Sequence, residues 1–232
     1  VWNYAHIGNF RTFMFEDLLR RWLEHSGYDV FQIMNITDVD DRTIKAAREA
    51  GKPLSEHTRP FTEAFFEDRD YLRIKPAHVY TPATEYMQAM IALVTRLLER
   101  GVAYKGEDGS VYFAIGKFPA YGRLSQLDRR EIKVGARVAS DEYTKDDPSD
   151  FALWKKGLLG WGSKWGKGFP GWHIECTAMA FATLGKQIDI HTGGEDLKYT
   201  HHNGEIAQAE AASGRSPYVS SWFHNAFITV DN

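Results

Sequence analysis

The sequence predicts an α/β protein built on a parallel sheet that an inserted segment interrupts. Three observations carry this. Short runs rich in Val, Ile and Phe alternate with longer runs of 3.6-residue apolar period, the order expected when helices cover a parallel sheet. The alternation breaks between about residues 102 and 170, where hairpin, charged and glycine-rich stretches replace it. It then resumes after Trp172 and continues towards the last residue, Asn232. The expected division is 1–101 and 171–232 as two halves of one catalytic core, with 102–170 as a connective insertion at the sheet edge.

Taken in order, Phe13, Phe15, Leu18, Leu19, Trp22 and Leu23 give residues 9–26 an amphipathic helical period, stopped by Gly27. Asp29–Ile36 is mostly apolar and predicts a buried strand. Thr37-Asp38-Val39-Asp40-Asp41 is a polar turn, and the helix after it runs to Ala50 with Gly51 as its stop. Residues 54–74 and 83–100 predict longer helices around a short strand, His78–Thr81. Val102–Lys105 and Ser110–Ile115 flank Gly106-Glu-Asp-Gly109 and predict a hairpin. Gly157–Gly171, with tryptophans at 161 and 165, shows no clear period. Beyond it come a helix at about 173–184, a strand at Gln187–His191 running into Thr192-Gly193-Gly194, a helix at about 201–212, and a strand at Trp222–Val230.

Composition narrows the class. With 43% hydrophobic and 25% charged residues over 232 positions, the chain is typical of a soluble globular protein. No apolar run reaches 18 residues, so no transmembrane helix and no membrane partner are expected. No signal peptide is visible. The single cysteine, Cys176, excludes an internal disulfide framework and suits a reducing compartment such as the cytoplasm. A net charge of −3 does not mark a general nucleic-acid binder, so any RNA contacts must be local.

Three patches can carry chemistry. His6-Ile-Gly8-Asn9 opens the first helix. A helix start there aims free N–H groups and a positive dipole end at an anion, and an imidazole at the same turn can donate to a phosphate oxygen. Taken alone, the same tetrapeptide is also an ordinary capped turn. The second patch is Cys176 with His201 and Glu205, the last two sharing a helix face. Thiolate, imidazole and carboxylate together suit zinc; a buried cysteine used as a small hydrophobe and a solvated His-His cap explain the residues equally well. The third, His191-Thr-Gly193-Gly-Glu-Asp196, follows a strand at the end where open α/β sheets bind ligands. Its glycines permit close backbone approach and Asp196 can accept from a ribose hydroxyl, although a glycine loop with a capping aspartate reads the same way.

The order of the motifs decides between these readings. His6-Ile-Gly-Asn, Asn35-Ile-Thr-Asp-Val-Asp-Asp41, Phe118-Pro-x-Tyr-Gly-x-Leu-Ser125, Gly135-Ala-Arg-Val138, Asp150-Phe-Ala-Leu-Trp-Lys155, Gly171-Trp-His-Ile-Glu-Cys176, Asp189-Ile-His-Thr-Gly-Gly-Glu-Asp-Leu197 and His201-His-Asn-Gly-Glu205 follow one another along nearly the whole chain. Together they closely resemble the catalytic domain of the cysteinyl-tRNA synthetase family, class I aminoacyl-tRNA synthetases. The resemblance implies a Rossmann-type core with a connective insertion, ATP-dependent activation of cysteine to cysteinyl-adenylate, and transfer to tRNA(Cys). It implies a cytoplasmic monomer using zinc, and ATP with Mg²⁺. It assigns His6 and Asn9 to the catalytic signature that meets the phosphates. Gly8, His191, Gly193 and Asp196 fall to ATP, Thr37, Trp172 and His191 to the cysteine substrate, and Cys176, His201 and Glu205 to zinc.

The resemblance also implies that the edges of the chain cut through the active site. A family Cys-Gly-x-Thr-Val stretch with the fourth zinc ligand would precede Val1, and a Lys-Met-Ser-Lys-Ser loop and an anticodon-binding domain would follow Asn232. On that reading the chain alone is expected to bind zinc weakly and not to charge tRNA. His-His-Asn-Gly-Glu also departs from the family's His-His-Glu-Asn-Glu between the ligands. The alternatives are the similar cysteine ligase of mycothiol synthesis, a zinc hydrolase with Glu175 or Glu205 as base, and a noncatalytic binding remnant.

Overall fold

The computed structural model describes residues 1–126 and 149–229, which fall into two compact units. The first comprises Val1–Glu85, Thr192–Glu195 and Phe223–Asn232, and the second Tyr86–His191 and Asp196–Trp222. The motif at 135–138 and the last three residues lie outside the described residues.

In the first unit, α1 (Ile7–His25), β1 (Ile33–Ile36), α2 (Asp41–Glu49), α3 (Leu54–Tyr71) and β2 (Val79–Pro82) follow in order. β1 and β2 are parallel, in register from Ile33 opposite Val79 to Ile36 opposite Pro82. This is the strand–helix–strand unit the sequence predicts. Phe10 on α1 and Phe65 on α3 stack, and with Ile36 and Ile74 they form the core of the unit. Asp40 caps α2 by accepting from the Thr43 amide at 2.6 Å, while the Thr43 hydroxyl accepts from the Asp40 amide at 2.7 Å, so two helix-end donors are satisfied reciprocally. α3 stops three residues short of the expected 74. Its end turns through Arg73 at φ +55°, whose amide bonds the Asp70 carbonyl.

The second unit begins with α4 (Met87–Glu99) and a four-stranded antiparallel sheet in the order β3 (Ala103–Lys105), β4 (Val111–Phe113), β5 (Phe151–Ser163), β6 (Gly166–Pro170). The 102–113 hairpin is as predicted. The glycine-rich stretch is a second hairpin that periodicity does not show, because its glycines serve backbone proximity rather than a face. A Cβ at Gly168 would sit 2.1 Å from the Lys155 carbonyl oxygen, and one at Gly160 would sit 2.0 Å from that of Gly168. α5 (Trp172–Thr183), α6 (Glu195–Tyr199) and α7 (His201–Ser213) follow. The strands β7 (Ile188–Gly194) and β8 (Val219–Asn225) pair with each other.

Outside the four-stranded sheet, the hydrogen-bonded strand pairs among the described residues are β1–β2 and β7–β8. One expectation is corrected here. The last strand lies three residues earlier than Trp222, at Val219, because the Ile188 amide bonds the Tyr218 carbonyl and draws the preceding segment beside β7. No helix among the described residues is long and apolar enough to cross a membrane.

Candidate metal and nucleotide sites

In the first unit, His6 is the N-cap of α1. Its Nδ1 accepts from the Gly8 amide at 3.1 Å, and Asn9 Oδ1 accepts from the His6 amide at 3.0 Å. Gly8 is small for a local reason, since a Cβ there would stand 3.0 Å from His6 Cε1 and press on the ring. An Nδ1 that accepts places the ring proton on Nε2, so exposed His6 offers an N–H to solvent at the positive end of the helix. The Gly8 amide is taken by this cap, which leaves the imidazole as the chief polar handle of the turn. Thr37 lies just past β1, with Asn35 Nδ2 donating to its hydroxyl at 3.2 Å. Buried Gly193 lies in the same unit on β7, beside Thr192, whose hydroxyl donates to Glu16 of α1 at 2.8 Å.

The second unit holds the other candidates. Cys176 on α5 and His201 and Glu205 on α7 offer Sγ, an imidazole nitrogen and a carboxylate oxygen that all lie within 4.8 Å of one another. His201 Nε2 is 3.2 Å from Glu205 Oε1. Donors on one tetrahedral zinc ion stand roughly 3.3–3.8 Å apart when bonds are ~2.0–2.3 Å long, so the set fits with small side-chain adjustments. Its mixed sulfur, nitrogen and oxygen character suits zinc. His201 Nδ1 is 3.1 Å from His173 Nδ1, so one ring donates to the other. With an ion bound, His201 would donate from Nδ1 to His173 and give its Nε2 lone pair to the ion.

Electrostatics favour a cation here. Burial, and then the charges of Glu205 and Glu175, push the Cys176 thiol well above its usual range. Burial also raises the Glu205 carboxyl, but the charge and hydrogen bond of His191 and the contacts from His201 outweigh it, so the group is held well below the usual carboxylate range. A divalent ion would reverse the effect on the thiol, as a coordinating thiol loses its proton.

Around this cluster, His173, His202 and Trp222 escape sequence reasoning, whereas His191 and Trp172 are expected as substrate-side residues. His191 Nε2 is 3.0 Å from Glu205 Oε2, so His191 belongs with the carboxylate of this cluster. His191, His202 and Glu205 form a second triad with ligand atoms within 4.8 Å. Trp222 stacks on His191 at 4.8 Å and leans on His202 at 4.9 Å. Trp172, 46% exposed, covers His201 at 4.5 Å. His173 and His202 each adjoin a residue that the motifs single out, which is the only signal the sequence carries for them. Asp196 sits exposed on the short α6.

The His201–Glu210 stretch of α7 is wholly buried despite its polar sequence, where a solvated His-His start was the competing expectation. Most of its polar groups are paired, with Glu205 Oε1 and Gln208 Oε1 left without an aligned hydrogen bond among the described residues. Asn203 Nδ2 donates to Ser125 Oγ at 2.7 Å and to the Lys198 carbonyl at 2.9 Å, and its Oδ1 accepts from the Leu124 amide at 3.3 Å. Gln208 Nε2 donates to the His173 carbonyl at 2.9 Å. Glu210 pairs with Arg123 and accepts from the Tyr218 amide at 2.9 Å. The 118–125 motif thus serves to satisfy a buried polar helix.

Comparison with known proteins fits this arrangement. A family model described as the catalytic domain of tRNA synthetases class I (C) matches residues 1–232. The chain belongs to this family. It is similar to the cysteine–tRNA ligase of Chlamydia pneumoniae, at 51% identity over 237 residues, and to that of Protochlamydia amoebophila, at 51% over 239 residues. Each alignment takes in 100% of this chain and 50% of the relative, so the chain spans about half the length of these curated proteins. Among solved structures it is similar to Mycobacterium tuberculosis methionyl-tRNA synthetase in complex with methionyl-adenylate. The TM-score there is 0.71 at 14% identity, over 97% of this chain and 55% of that one. That likeness shows the class I synthetase fold.

Proposed function

We propose that this chain is the catalytic domain of a cysteine–tRNA ligase, which activates cysteine with ATP and passes the cysteinyl group to tRNA(Cys) in the cytoplasm. The observation that carries the reading is the convergence of Cys176, His201 and Glu205 within 4.8 Å beside Trp172, in a chain half identical to cysteine–tRNA ligases along its whole length. Cys176, His201 and Glu205 would hold zinc, which when bound supplies direct ligation of the substrate thiol. A hydroxyl is a much poorer partner for such an ion, whereas a hydrophobic pocket separates close analogues by only ~1–3 kcal/mol. Trp172 forms a wall over His201 and excludes water from that side.

His6 donates from Nε2 to a phosphate oxygen of Mg²⁺-bound ATP, and the dipole of α1 adds to it. Activation is an attack of the cysteine carboxylate on the α-phosphate with pyrophosphate leaving. Positioning and charge stabilisation supply most of such a step. Each within its own unit, Gly193 and Asp196 would serve adenosine and Thr37 the cysteine substrate.

The test is cysteine-dependent exchange of pyrophosphate into ATP by the full-length protein, followed by charging of tRNA(Cys). Exchange driven by serine or methionine as readily as by cysteine would overturn the substrate assignment. Exchange with cysteine but no transfer to tRNA would overturn the ligase assignment and leave cysteine activation for another acceptor.

A further inference from the structure

The Glu205 carboxylate stands between two sets of histidines. On α7 it follows His201 by four residues and His202 by three, so each is its neighbour on the helix surface. The side chain is wholly buried, and its two oxygens meet different partners. Oε1 is 3.2 Å from His201 Nε2, on the side of Cys176, whereas Oε2 is 3.0 Å from His191 Nε2, on β7.

The His191 side has the make-up of a cation site in its own right. His191, His202 and Glu205 present ligand atoms within 4.8 Å of one another. Two imidazoles and one carboxylate are a donor set that binds zinc with a position left open for water. His202 is buried and His191 partly so. Their rings are 4.6 Å apart, and the indole of Trp222, on β8, packs on both, at 4.8 Å from His191 and 4.9 Å from His202. The indole thus restrains both rings and screens one side of the pair from water. All four residues belong to the second unit. In the ion-free chain the 3.0 Å contact is a hydrogen bond. An ion in place of its proton needs the two atoms roughly 3.3 Å apart for tetrahedral bonds of ~2.0–2.1 Å, a small adjustment.

We propose that His191, His202 and Glu205 form a second divalent-cation site, which takes zinc through Glu205 Oε2 while Oε1 serves the site at Cys176. Glu205 would then bridge two ions, and in two-metal sites the ions stand ~3.5–4 Å apart. Cations that close repel each other and share one carboxylate charge, so the second ion should bind at least about tenfold more weakly than the first. The second site goes beyond the cysteine-binding reading and does not need Cys176.

The test is titration of the metal-free, full-length protein with zinc against a competing chelator, and with cobalt(II) followed by its optical spectrum. Two equivalents should bind in steps. The first cobalt ion should bring a thiolate-to-metal charge-transfer band from Cys176. The second should add ligand-field absorption without a further charge-transfer band, because its donors include no sulfur. His202→Phe keeps a ring against Trp222 and removes both nitrogens; it should abolish the second equivalent and keep the first, which also reports that the variant is folded. Cys176→Ser should weaken the first and keep the second. A wild type that takes one equivalent with zinc in large excess overturns the proposal and leaves the Cys176 site standing. A second equivalent that survives in His202→Phe, or that brings a second thiolate band, sits elsewhere and also overturns it. If the wild type binds no zinc, both sites fall. A second equivalent that persists when Cys176→Ser has lost the first upholds this site whatever becomes of the cysteine-binding reading.

Discussion

Gly171→Ala tests how α5 is held against the antiparallel sheet. Gly171 caps the helix that carries Trp172 and Cys176, and its amide donates to the Leu153 carbonyl at 3.0 Å. A Cβ there would lie 1.9 Å from the Ala152 carbonyl oxygen and 2.7 Å from its carbon, where ordinary contact begins at 3.4 Å. About 1.5 Å must open between two backbones, neither of which has a flexible side chain to yield. The lost hydrogen bond is worth about 1 kcal/mol, and forced overpacking costs about 1–3 kcal/mol. Destabilisation of about 2–4 kcal/mol follows. For a chain of this size it corresponds to a fall in unfolding midpoint of roughly 4–16 °C. Circular dichroism melts of the wild type and of Gly171→Ala measure it. Gly116→Ala is the control, since nothing lies within 4 Å of a Cβ there, and it should stay within about 0.5 kcal/mol of wild type. A Gly171→Ala protein that melts with the wild type would show that close approach to β5 is not why the motif begins with glycine.

Cys176→Ser should weaken zinc at least tenfold in a chelator competition. Because burial holds the Cys176 proton above its usual range, and that proton must leave when an ion binds, wild-type affinity should rise with pH between 6.5 and 8 and the rise should be smaller in the serine variant. His6→Ala in the full-length protein should slow cysteine-dependent pyrophosphate exchange by about 10²-fold, as loss of one preorganised donor does, while the cysteine concentration giving half-maximal rate changes little. Glu24 is paired with Arg20 and Lys75, which hold its carboxyl at about 2 against an ordinary 4.5. A lowered native value stabilises fully above pH 4.5 and is lost as pH falls towards 2. Glu24→Gln should therefore lose stability at neutral pH and show a flatter decline of unfolding midpoint from pH 5 to pH 3.

The elements that local patterning describes are the ones the sequence predicts well. α1 has an apolar period and a capping residue, β1 and β2 are short apolar runs, and the 102–113 hairpin has a turn rich in glycine and aspartate. The β5–β6 hairpin is illegible for a different reason. At Gly160 and Gly168 the requirement is that no side chain be present, and the backbones that impose it are eight residues apart and more. A glycine placed for a distant contact looks the same in sequence as one placed for a turn.

α7 fails in the other direction, and its failure explains the motif pattern. A helix reading His-His-Asn-Gly-Glu-Ile-Ala-Gln-Ala-Glu looks like a surface element, yet the whole stretch is buried. Burying that many polar groups is tolerable only if each finds a partner. Asn203 needs Leu124 and Ser125, Glu210 needs Arg123 and the Tyr218 amide, Gln208 needs the His173 carbonyl, and Glu205 needs His191. The segments at 118–125, 171–176, 189–197 and 201–210 are therefore not independent signatures. The first three supply partners for the polar side chains of the fourth, which is α7 itself. Cys176, His201 and Glu205, whose Oε1 has no aligned hydrogen bond among the described residues, are the ones whose chemistry calls for an ion.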